Sequence, residues 1–439
     1  MSPSHPLPVW HIPPVEWDTL HDAPPEERAC FGTLGMQLGD IWLTEGHDTL
    51  VNTVRQRPRL SAYHLARWLA WNWWRLRWEG LARVGQEAEW GLSHRLASAG
   101  GGYLWPDLRV MSDGERIRLE ARATPPGRAT PYRYLNSVAA TLPAPQFEAV
   151  VDDFMAQVLA RLSAQGLPDT ALHTLWQQVC EERADPASRD WRRLEALMGA
   201  DPDEGDPQLI QQWLDDACVV GWSGVAELAA QPSRLQVADL RRCAQTHAHT
   251  LDEQAGVQWA TPGDAELPHW ETTEAWGWGE ELARRLRQQE RLAEDAVLAS
   301  HQLADWAGAA AGVLEPAKGS SLVEASFVLP DADQPSAQLV LRQSGSRGRR
   351  FELARLLGDR LLDREMGLRL ASSSGTWRQK FQRAFAAELL CPHRLALELG
   401  WPSDDEAISQ LADAYQVSEL LVKTQRVNHG LEDRQALAA

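Results

Sequence analysis

Three side chains of the kind that bind zinc fall within seven residues, in the segment CAQTHAH that contains Cys243, His247 and His249. Thiolate sulfur and imidazole nitrogen are ligands that zinc prefers in proteins. A zinc finger, however, combines a C-x-x-C pair with a second ligand pair at a fixed distance along the chain, and no such pair lies near this segment. The spacing therefore favours a solvated helix end over a metal site.

The glycine run Gly100–Gly102 could in principle cradle a phosphate through its backbone N–H groups. A phosphate-binding loop of that kind also needs a lysine followed by serine or threonine, and Tyr103 begins a different sequence. We therefore predict a turn. The 13 histidines and the many acidic residues allow a Ser/His/Asp set to be selected by chance, so we assign no nucleophilic triad.

The composition is typical of a soluble globular protein, with 44% hydrophobic and 24% charged residues. The 61 acidic and 43 basic residues give a net charge of −18, which repels phosphate backbones, so nucleic acid is not a favoured partner. The five cysteines are scattered and odd in number, which argues against a disulfide framework and favours the cytoplasm. Neither an export signal nor an apolar membrane span is recognisable, and we expect no membrane partner.

The length of 439 residues predicts more than one core, and we expect three domains. Residues 1–145 combine short strand patterns with a hairpin that turns at Asp113-Gly114, which predicts a Trp-rich α/β domain. Residues 146–265 show helical periodicity broken by Asp, Pro and Gly, which predicts a helical domain. Residues 266–439 combine helices with two alternating strands. The expected fold class is α+β, multidomain and predominantly helical.

Five of the 21 tryptophans crowd one predicted helix between Ser61, which can cap its start, and Gly80, which can end it. On a helical wheel Trp71, Trp74 and Trp78 lie opposite a second apolar stripe, so both faces of this helix are apolar. The pattern favours a helix buried between two layers, and the alternative is a surface for a protein partner. The same helix carries the arginines of a third possibility, stacking on single-stranded nucleic acid: Arg67, Arg75 and Arg77.

A recognisable order of elements follows in the last part of the chain. Amphipathic helices precede two strand patterns in Ser321–Arg342, and then come a helix over Arg349–Asp363 (RRFELARLLGDRLLD) and a helix that contains Phe385–Pro392 (FAAELLCP). A final helical pair contains QVSELLVKTQRVNHG. Over roughly residues 270 to 430 this order resembles the ImmA/IrrE family of bacterial metallo-endopeptidases. The resemblance implies a zincin-like C-terminal domain.

The positions that bind zinc in that family carry other residues in this chain. The family pattern R-F-x-L-A-H-E-x-x-H implies two histidine ligands and a glutamate base, and the matching residues are Arg355, Asp359 and Leu356. A ligating glutamate usually precedes the F-A-A phenylalanine by four residues, and Phe381 stands there. A guanidinium repels a dication and a leucine cannot accept a proton. Arg355 and Asp359, spaced i and i+4, are expected to pair.

The resemblance and these substitutions together imply a pseudoenzyme. We expect a cytoplasmic bacterial protein without catalysis, metal or cofactor, which acts as a sensor, adaptor or regulator in a stress, mobile-element or phage-defence setting. The expected partner is a protein encoded nearby, such as a repressor-type or defence protein, because active family members cut helix-turn-helix repressors. A peptide along Ser321–Arg342 is the expected ligand. The alternatives are a peptidase whose metal site is rebuilt from other groups, for example Asp359, Glu388 and His393, and a nucleic-acid-binding subunit of a defence complex.

Two further segments have competing interpretations. The terminal helices Asp404–Tyr415 and Ser418–Val427 imitate a helix-turn-helix, but the acidic start of the first argues against DNA binding. A basic run could contact phosphate, but the family tends to have arginines before its R-F-x-L-A helix, which favours a structural role. The run consists of Arg342, Arg347, Arg349 and Arg350.

Overall fold

The structure is a computed structural model that describes residues 9–82, 85–127, 129–258, 274–293, 295–317, 323–331, 336–363, 367–393 and 404–431. The fold is mixed α/β and predominantly helical, with about 50% helix and 15% strand, which confirms the predicted balance of elements. The chain forms two compact units, Met1–Ile210 and Gln211–Ala439. The three domains expected from the sequence, with boundaries at residues 145 and 265, stay a prediction.

The first unit contains twelve short strands and seven helices among the residues described. The strands are β1 Trp10–His11, β2 Glu16–Trp17, β3 Phe31–Thr33, β4 Gln37–Leu38, β5 Ile41–Trp42, β6 Gly46–Asp48, β7 Thr53–Arg55, β8 Arg59–Ser61, β9 Asp107–Ser112, β10 Arg116–Arg122, β11 Tyr132–Tyr134 and β12 Val138–Pro143. The helices are α1 Pro25–Ala29, α2 Ala62–Trp71, α3 Trp73–Trp78, α4 Glu87–His94, α5 Ala144–Ala164, α6 Ala171–Ala184 and α7 Pro186–Leu197.

The strands of this unit pair antiparallel in small three-stranded sheets, among them β12-β10-β9. The predicted hairpin is confirmed, because β9 and β10 pair from Ser112 opposite Ile117 outward and Gly114 supplies the left-handed turn at φ +99°. The predicted Trp-rich helix begins after Ser61, as expected. It is interrupted at Asn72, whose side-chain amide donates to the Trp68 carbonyl (2.8 Å), and so forms α2 and α3.

The helix α5 explains why the first unit extends beyond the predicted boundary at residue 145. Its Phe147 is fully buried and stacks on Trp10 (ring centroids 5.3 Å) and on Trp73 (6.1 Å). Trp73 in turn meets Trp176 of α6 edge to face at 5.6 Å. The tryptophans therefore form one hydrophobic core together with the helices that follow the strands, and that core continues across residue 145.

The second unit contains a four-stranded sheet and a set of helices. The strands are β13 His249–Leu251, β14 Ser326–Pro330, β15 Ala337–Val340 and β16 Arg369–Ala371. The helices are α8 Pro207–Val220, which begins just before the boundary, α9 Trp222–Ala229, α10 Val237–His247, α11 Ala275–Gln289, α12 Ser300–Ala307, α13 Ser346–Leu362, α14 Trp377–Leu390, α15 Asp405–Tyr415 and α16 Glu419–Asn428.

The sheet has the antiparallel order β13-β15-β14-β16. The predicted strand pair and the helices α13 to α16 are confirmed as elements; α15 and α16 agree with their predicted bounds within one residue, whereas α13 begins three residues before Arg349 and α14 ends at Leu390. The helical periodicity of residues 146–265 includes one run over 209–228, and this run divides into α8 and α9 at Gly221, which adopts a left-handed φ of +86°. The segment 255–268, whose Thr-Pro-Gly-Asp and scattered acids predict a linker, lies largely outside the described residues.

Two glycines let α14 pack closely on its neighbours. A Cβ atom on Gly279 of α11 would lie 2.6 Å from the Phe381 carbonyl oxygen, and one on Gly358 of α13 would lie 2.5 Å from the Phe385 ring. Side chains at either position would force the helices apart. The three helices α11, α13 and α14 therefore form the tightly packed support for the candidate sites below. No helix in the described part of the chain has both the length and the apolar composition that a membrane span requires.

Candidate functional site

The position expected of the first metal-binding histidine holds the guanidinium of Arg355 on α13. This side chain is buried, and Nη2 donates to the Ser372 carbonyl (2.7 Å) and to Gln379 Oε1 (2.5 Å). Desolvation lowers the pKa of Arg355 to about 9, with the charge of Arg383 acting in the same direction. At neutral pH a cation therefore remains at this position, where a dication would be repelled.

Asp359 does not pair with Arg355, and the predicted ion pair is wrong. Asp359 is fully buried, and its Oδ1 accepts from Arg378 Nε at 2.6 Å. This ion pair joins α13 to α14. Asp363 accepts from the Nη1 atom of the same arginine at 3.3 Å. These carboxylates raise the pKa of Arg378. The i,i+4 spacing made the pair within α13 available, but Arg355 turns toward the residues that follow β16.

Phe381 and Leu356 fill the remaining expected metal-site positions with apolar side chains. The Phe381 ring is fully buried and stacks on Trp377 (5.7 Å) and Phe385 (6.2 Å) of its own helix. Leu356 lines a small cavity together with Leu353 and other residues. This donor set does not fit zinc, because it offers one carboxylate already bound to an arginine and no other ligand atom.

The sheet edge nearest to these residues is closed by side chains of α14. Gln379 and Gln382 both donate through Nε2 to the Leu370 carbonyl of β16, at 2.8 and 2.9 Å, and the Ser372 N–H donates to Gln379 Oε1 at 2.9 Å. The strands within Ser321–Arg342, proposed above to align a peptide, are the inner strands β14 and β15. Both are paired on both sides, so that expectation is wrong in its stated form.

The tryptophans of the first unit do not form one exposed face. Trp71 is 61% exposed, whereas Trp74 is buried and donates through Nε1 to Glu182 Oε2 (2.9 Å). The ring of Trp78 is half-buried, with the guanidinium of Arg77 at 3.7 Å from its centroid and that of Arg193 at 4.0 Å. The favoured interpretation of a helix buried between layers thus holds for most of α2 and α3, and Trp71 alone of the three is available to a partner.

The arginines proposed for nucleic-acid stacking are mostly engaged with acids. Arg75 is buried and pairs with Glu79 at 2.6 Å, and Arg77 pairs with Glu148 at 2.5 Å. Arg67 is exposed. A phosphate-binding stripe along this helix is therefore not formed.

The two weaker candidates from the sequence also take structural roles. In the CAQTHAH segment Cys243 is buried, His247 is exposed at the end of α10, and His249 lies in β13 beside Arg349 (3.4 Å). The three glycines at 100–102 all adopt left-handed φ values between +72° and +75°, and the backbone of Gly101 lies against the His64 ring. These positions form a tight turn, as predicted.

The arginine run before α13 is bound within the second unit. Arg349 and Arg350 are buried and donate to the carbonyls of Val313 (2.7 Å) and Leu298 (2.7 Å). The first two arginines of the run form ion pairs, Arg342 with Glu352 and Arg347 with Asp413. The structural role favoured from the sequence therefore accounts for all four.

One cluster in the second unit does bring metal-ligand atoms together. Glu280 of α11, His393 just after α14 and His429 at the end of α16 each offer a ligand atom, and these atoms lie within 4.8 Å of one another. Among the residues that the structure describes, no second group of three or more such side chains has this geometry. Glu388 adjoins the cluster, because its Oε2 lies 3.0 Å from His393 Nδ1.

The imidazoles of this cluster are held in fixed orientations. The two rings stack with centroids 4.2 Å apart and 13° between their planes, and His429 Nε2 lies 3.5 Å from Glu280 Oε1. Glu388 Oε2 also accepts from the His393 backbone N–H at 3.0 Å. The carboxylate therefore fixes both the backbone and the ring of His393.

The protonation equilibria of the cluster are strongly perturbed. Burial, reinforced by repulsion from Glu388, raises the pKa of Glu280 to about 7, although His393 and Arg284 act against the shift. The hydrogen bond to Glu388 raises the pKa of His393. Burial and the neighbouring His393 lower the pKa of His429. Such opposed shifts within a few ångströms are typical of functional sites.

Sequence reasoning found only half of this cluster. It selected Glu388 and His393 but joined them to Asp359, which binds Arg378. Arg378 and Glu388 are ten residues apart on α14, about 15 Å along the helix axis. Glu280 had one usable signal, since it is a carboxylate one helical turn before Ala283, at the border of the apolar face of α11. His429 had none, because only the tertiary fold brings the end of α16 to this place.

Comparison of the chain with protein-family models, with curated proteins and with solved structures gives no match. The resemblance to ImmA/IrrE peptidases therefore stays a prediction.

Proposed function

We propose that this chain is a non-catalytic protein-binding protein, an adaptor or regulator whose second unit is a pseudo-peptidase. The observation that carries the proposal is the commitment of Arg355, Asp359 and Phe381 to contacts inside the protein. A zinc peptidase needs a Lewis acid and a base that activates water. Here a guanidinium, a bound carboxylate and an aromatic ring occupy those positions.

The closed edge of β16 supports the same proposal from the substrate side. A peptide that is cut beside a sheet is commonly aligned by backbone hydrogen bonds to an edge strand. Gln379 and Gln382 already satisfy the outward carbonyl of Leu370. A substrate would have to displace both amides before it could pair there.

Exposed apolar side chains in the first unit support a protein partner. Leu50 and Val51 lie in the turn of the β6–β7 hairpin and Val54 lies in β7; all three are exposed, Leu50 to 81%. Adjacent apolar side chains at a surface are costly in water and are typical of protein-binding sites. The net charge of −18 favours a partner with a basic surface.

The proposal is tested with the full chain in two assays. Incubated with zinc and either unfolded casein or a purified helix-turn-helix repressor, the protein should leave both intact. Co-expressed with the products of neighbouring genes, it should co-purify with one of them at a fixed stoichiometry. Leu50→Asp combined with Val54→Asp should weaken that complex at least tenfold, whereas Leu92→Asp, also exposed, should not.

Two results would contradict the proposal. One is cleavage that a chelator abolishes, which would identify a peptidase. The other is the failure of every neighbouring gene product to bind the folded protein.

A further inference from the structure

We infer that Glu280, His393 and His429 bind one divalent transition-metal ion of the zinc class, with Glu388 orienting His393. The inference concerns a different place in the second unit from the substituted positions on α13 and does not depend on the proposed function. Two imidazoles and a carboxylate form a donor set that suits zinc better than the oxygen-preferring magnesium or calcium.

The spacing of the ligand atoms is close to what a tetrahedral ion requires. Ligand atoms roughly 2.0–2.1 Å from zinc lie about 3.3 Å from one another in a tetrahedron. His429 Nε2 and Glu280 Oε1 are already 3.5 Å apart, and all three ligand atoms lie within 4.8 Å. Side-chain rotations would have to shorten the longer separations, which are at most 4.8 Å, to complete the site. Three protein ligands would leave the fourth position to water.

Glu388 provides an independent indication of a ligand. It is fully buried, and its Oε1 lacks a hydrogen-bond partner among the residues described, with Arg284 Nε at 3.7 Å as its nearest ion pair. Its Oε2 contacts His393 Nδ1, so the second ring nitrogen, Nε2, is the atom of that ring that can bind a metal. A carboxylate behind a histidine in this way is the usual support of a metal-binding imidazole, because it fixes the tautomer and increases the basicity of the free nitrogen.

The charges of the cluster leave a place for a cation. Two carboxylates, Glu280 and Glu388, face the guanidinium of Arg284, which also pairs with Glu281. His429 Nε2 is buried and makes no hydrogen bond within the described part of the chain. Protonating both stacked imidazoles would place two like charges 4.2 Å apart. A metal ion instead satisfies the buried carboxylate and both rings at once.

The bound ion would join three elements that are remote in the chain. Its ligands come from α11, from a residue three positions after the end of α14 and from the residue that follows α16. Binding to the folded state alone stabilises that state by mass action. We therefore assign the ion a structural role, in which it fastens α16 to the pair of helices α11 and α14.

The test uses the full chain, stripped with chelator and dialysed against zinc chloride or magnesium chloride. We expect one zinc ion per chain and no retained magnesium by elemental analysis. Glu280→Gln and His429→Gln should each abolish stoichiometric zinc, and Glu388→Gln should weaken it about 10- to 100-fold. His247→Gln, which alters an exposed histidine of the same unit, is the matched control and should leave zinc binding unchanged.

Cobalt substitution separates loss of the site from loss of the fold. The cobalt-loaded protein should show the visible absorption bands of a four-coordinate ion, and His429→Gln should lose them while its circular dichroism stays native. Zinc binding that survives both Glu280→Gln and His429→Gln, or that disappears in His247→Gln, would overturn the inference. So would the absence of zinc from natively folded wild-type protein.

Discussion

Glu280 is a carboxylate kept inside the second unit at a cost that its surroundings do not fully offset. Burial and the like charge of Glu388 favour its protonated form, and its folded-state pKa of about 7 lies well above the ordinary 4.5. A raised carboxyl pKa means that the folded state binds more protons than the unfolded state between these two values. The stability that this group contributes is therefore complete below pH 4.5 and is lost as the pH rises through 7.

The raised pKa of Glu280 predicts how its removal changes stability. Without metal, Glu280→Gln should be more stable than the wild type at pH 8, by at most about 3 kcal/mol, because it removes a buried charge. At pH 4.5 the two proteins should differ little, since Glu280 is then protonated in the folded state. Thermal unfolding in chelator at both pH values measures the difference. If Glu280→Gln were less stable than the wild type by the same amount at pH 4.5 and pH 8, the carboxylate would not be buried as described.

Arg355 and Asp359 should respond differently to substitution, although both are buried on α13. Asp359→Asn removes one partner of a buried ion pair and leaves Arg378 under-compensated, which should cost about 3 kcal/mol. Arg355 donates to a carbonyl and an amide oxygen, neither of them charged, so Arg355→Met should change stability by about 1 kcal/mol or less. Urea unfolding measures both. A larger loss of stability in Arg355→Met than in Asp359→Asn would mean that Arg355 carries the essential charge of this site.

The element that organises the second unit is α14, because it meets α11, α13 and the edge of β16. Two glutamines of α14 make different numbers of hydrogen bonds at that edge. Gln379 binds the Leu370 carbonyl, the Ser372 N–H and Arg355, whereas Gln382 shares only the Leu370 carbonyl. Removing the first therefore leaves two buried donors, the Ser372 N–H and Arg355, without the Gln379 acceptor, and removing the second strands no group, because the Leu370 carbonyl keeps its other partner in either case.

Leucine substitutions should reveal this difference. Gln379→Leu should lower the free energy of unfolding by roughly 3 kcal/mol or more, because each buried polar group left without a hydrogen bond costs about 1–3 kcal/mol. Gln382→Leu should cost under about 1 kcal/mol, and Gln410→Leu, at an exposed position on α15, should be nearly neutral. The midpoints of urea unfolding give the ranking. Equal losses at Gln379 and Gln382 would contradict the described closure of the β16 edge.

The periodicity of the sequence predicted the elements of this unit but not their partners. The helices α13 and α14 follow from local spacing, since their apolar residues recur at helical intervals. The pairing of Asp359 with Arg378 depends on how two helices pack, which local spacing does not encode. Likewise β14 and β15 were recognised as strands, but their inner position depends on β13 and β16, which come from distant parts of the chain. The metal cluster is harder still, because three separate elements must meet.

At the scale of the whole molecule, the net charge of −18 opposes binding to any polyanion. The two arginines that follow Trp74 are already paired with Glu79 and Glu148. We therefore expect the full chain to show no binding to a fluorescent single-stranded oligonucleotide at 150 mM salt, with at most weak and steeply salt-dependent binding at 20 mM. Fluorescence anisotropy measures this. Micromolar binding that persists at 150 mM salt would contradict this expectation.

The division into two compact units predicts that zinc acts on one of them. All three proposed ligands belong to the second unit, in α11, after α14 and after α16. Zinc should therefore slow backbone hydrogen exchange in these elements, because opening any of them would break the coordination, while residues 9–210 should exchange at unchanged rates. Hydrogen exchange with mass spectrometry, with and without zinc, measures both units in one sample. The His429→Gln protein should show no zinc-dependent protection in either unit. Protection spread equally over both units would mean that zinc binds elsewhere or acts through the chain as a whole.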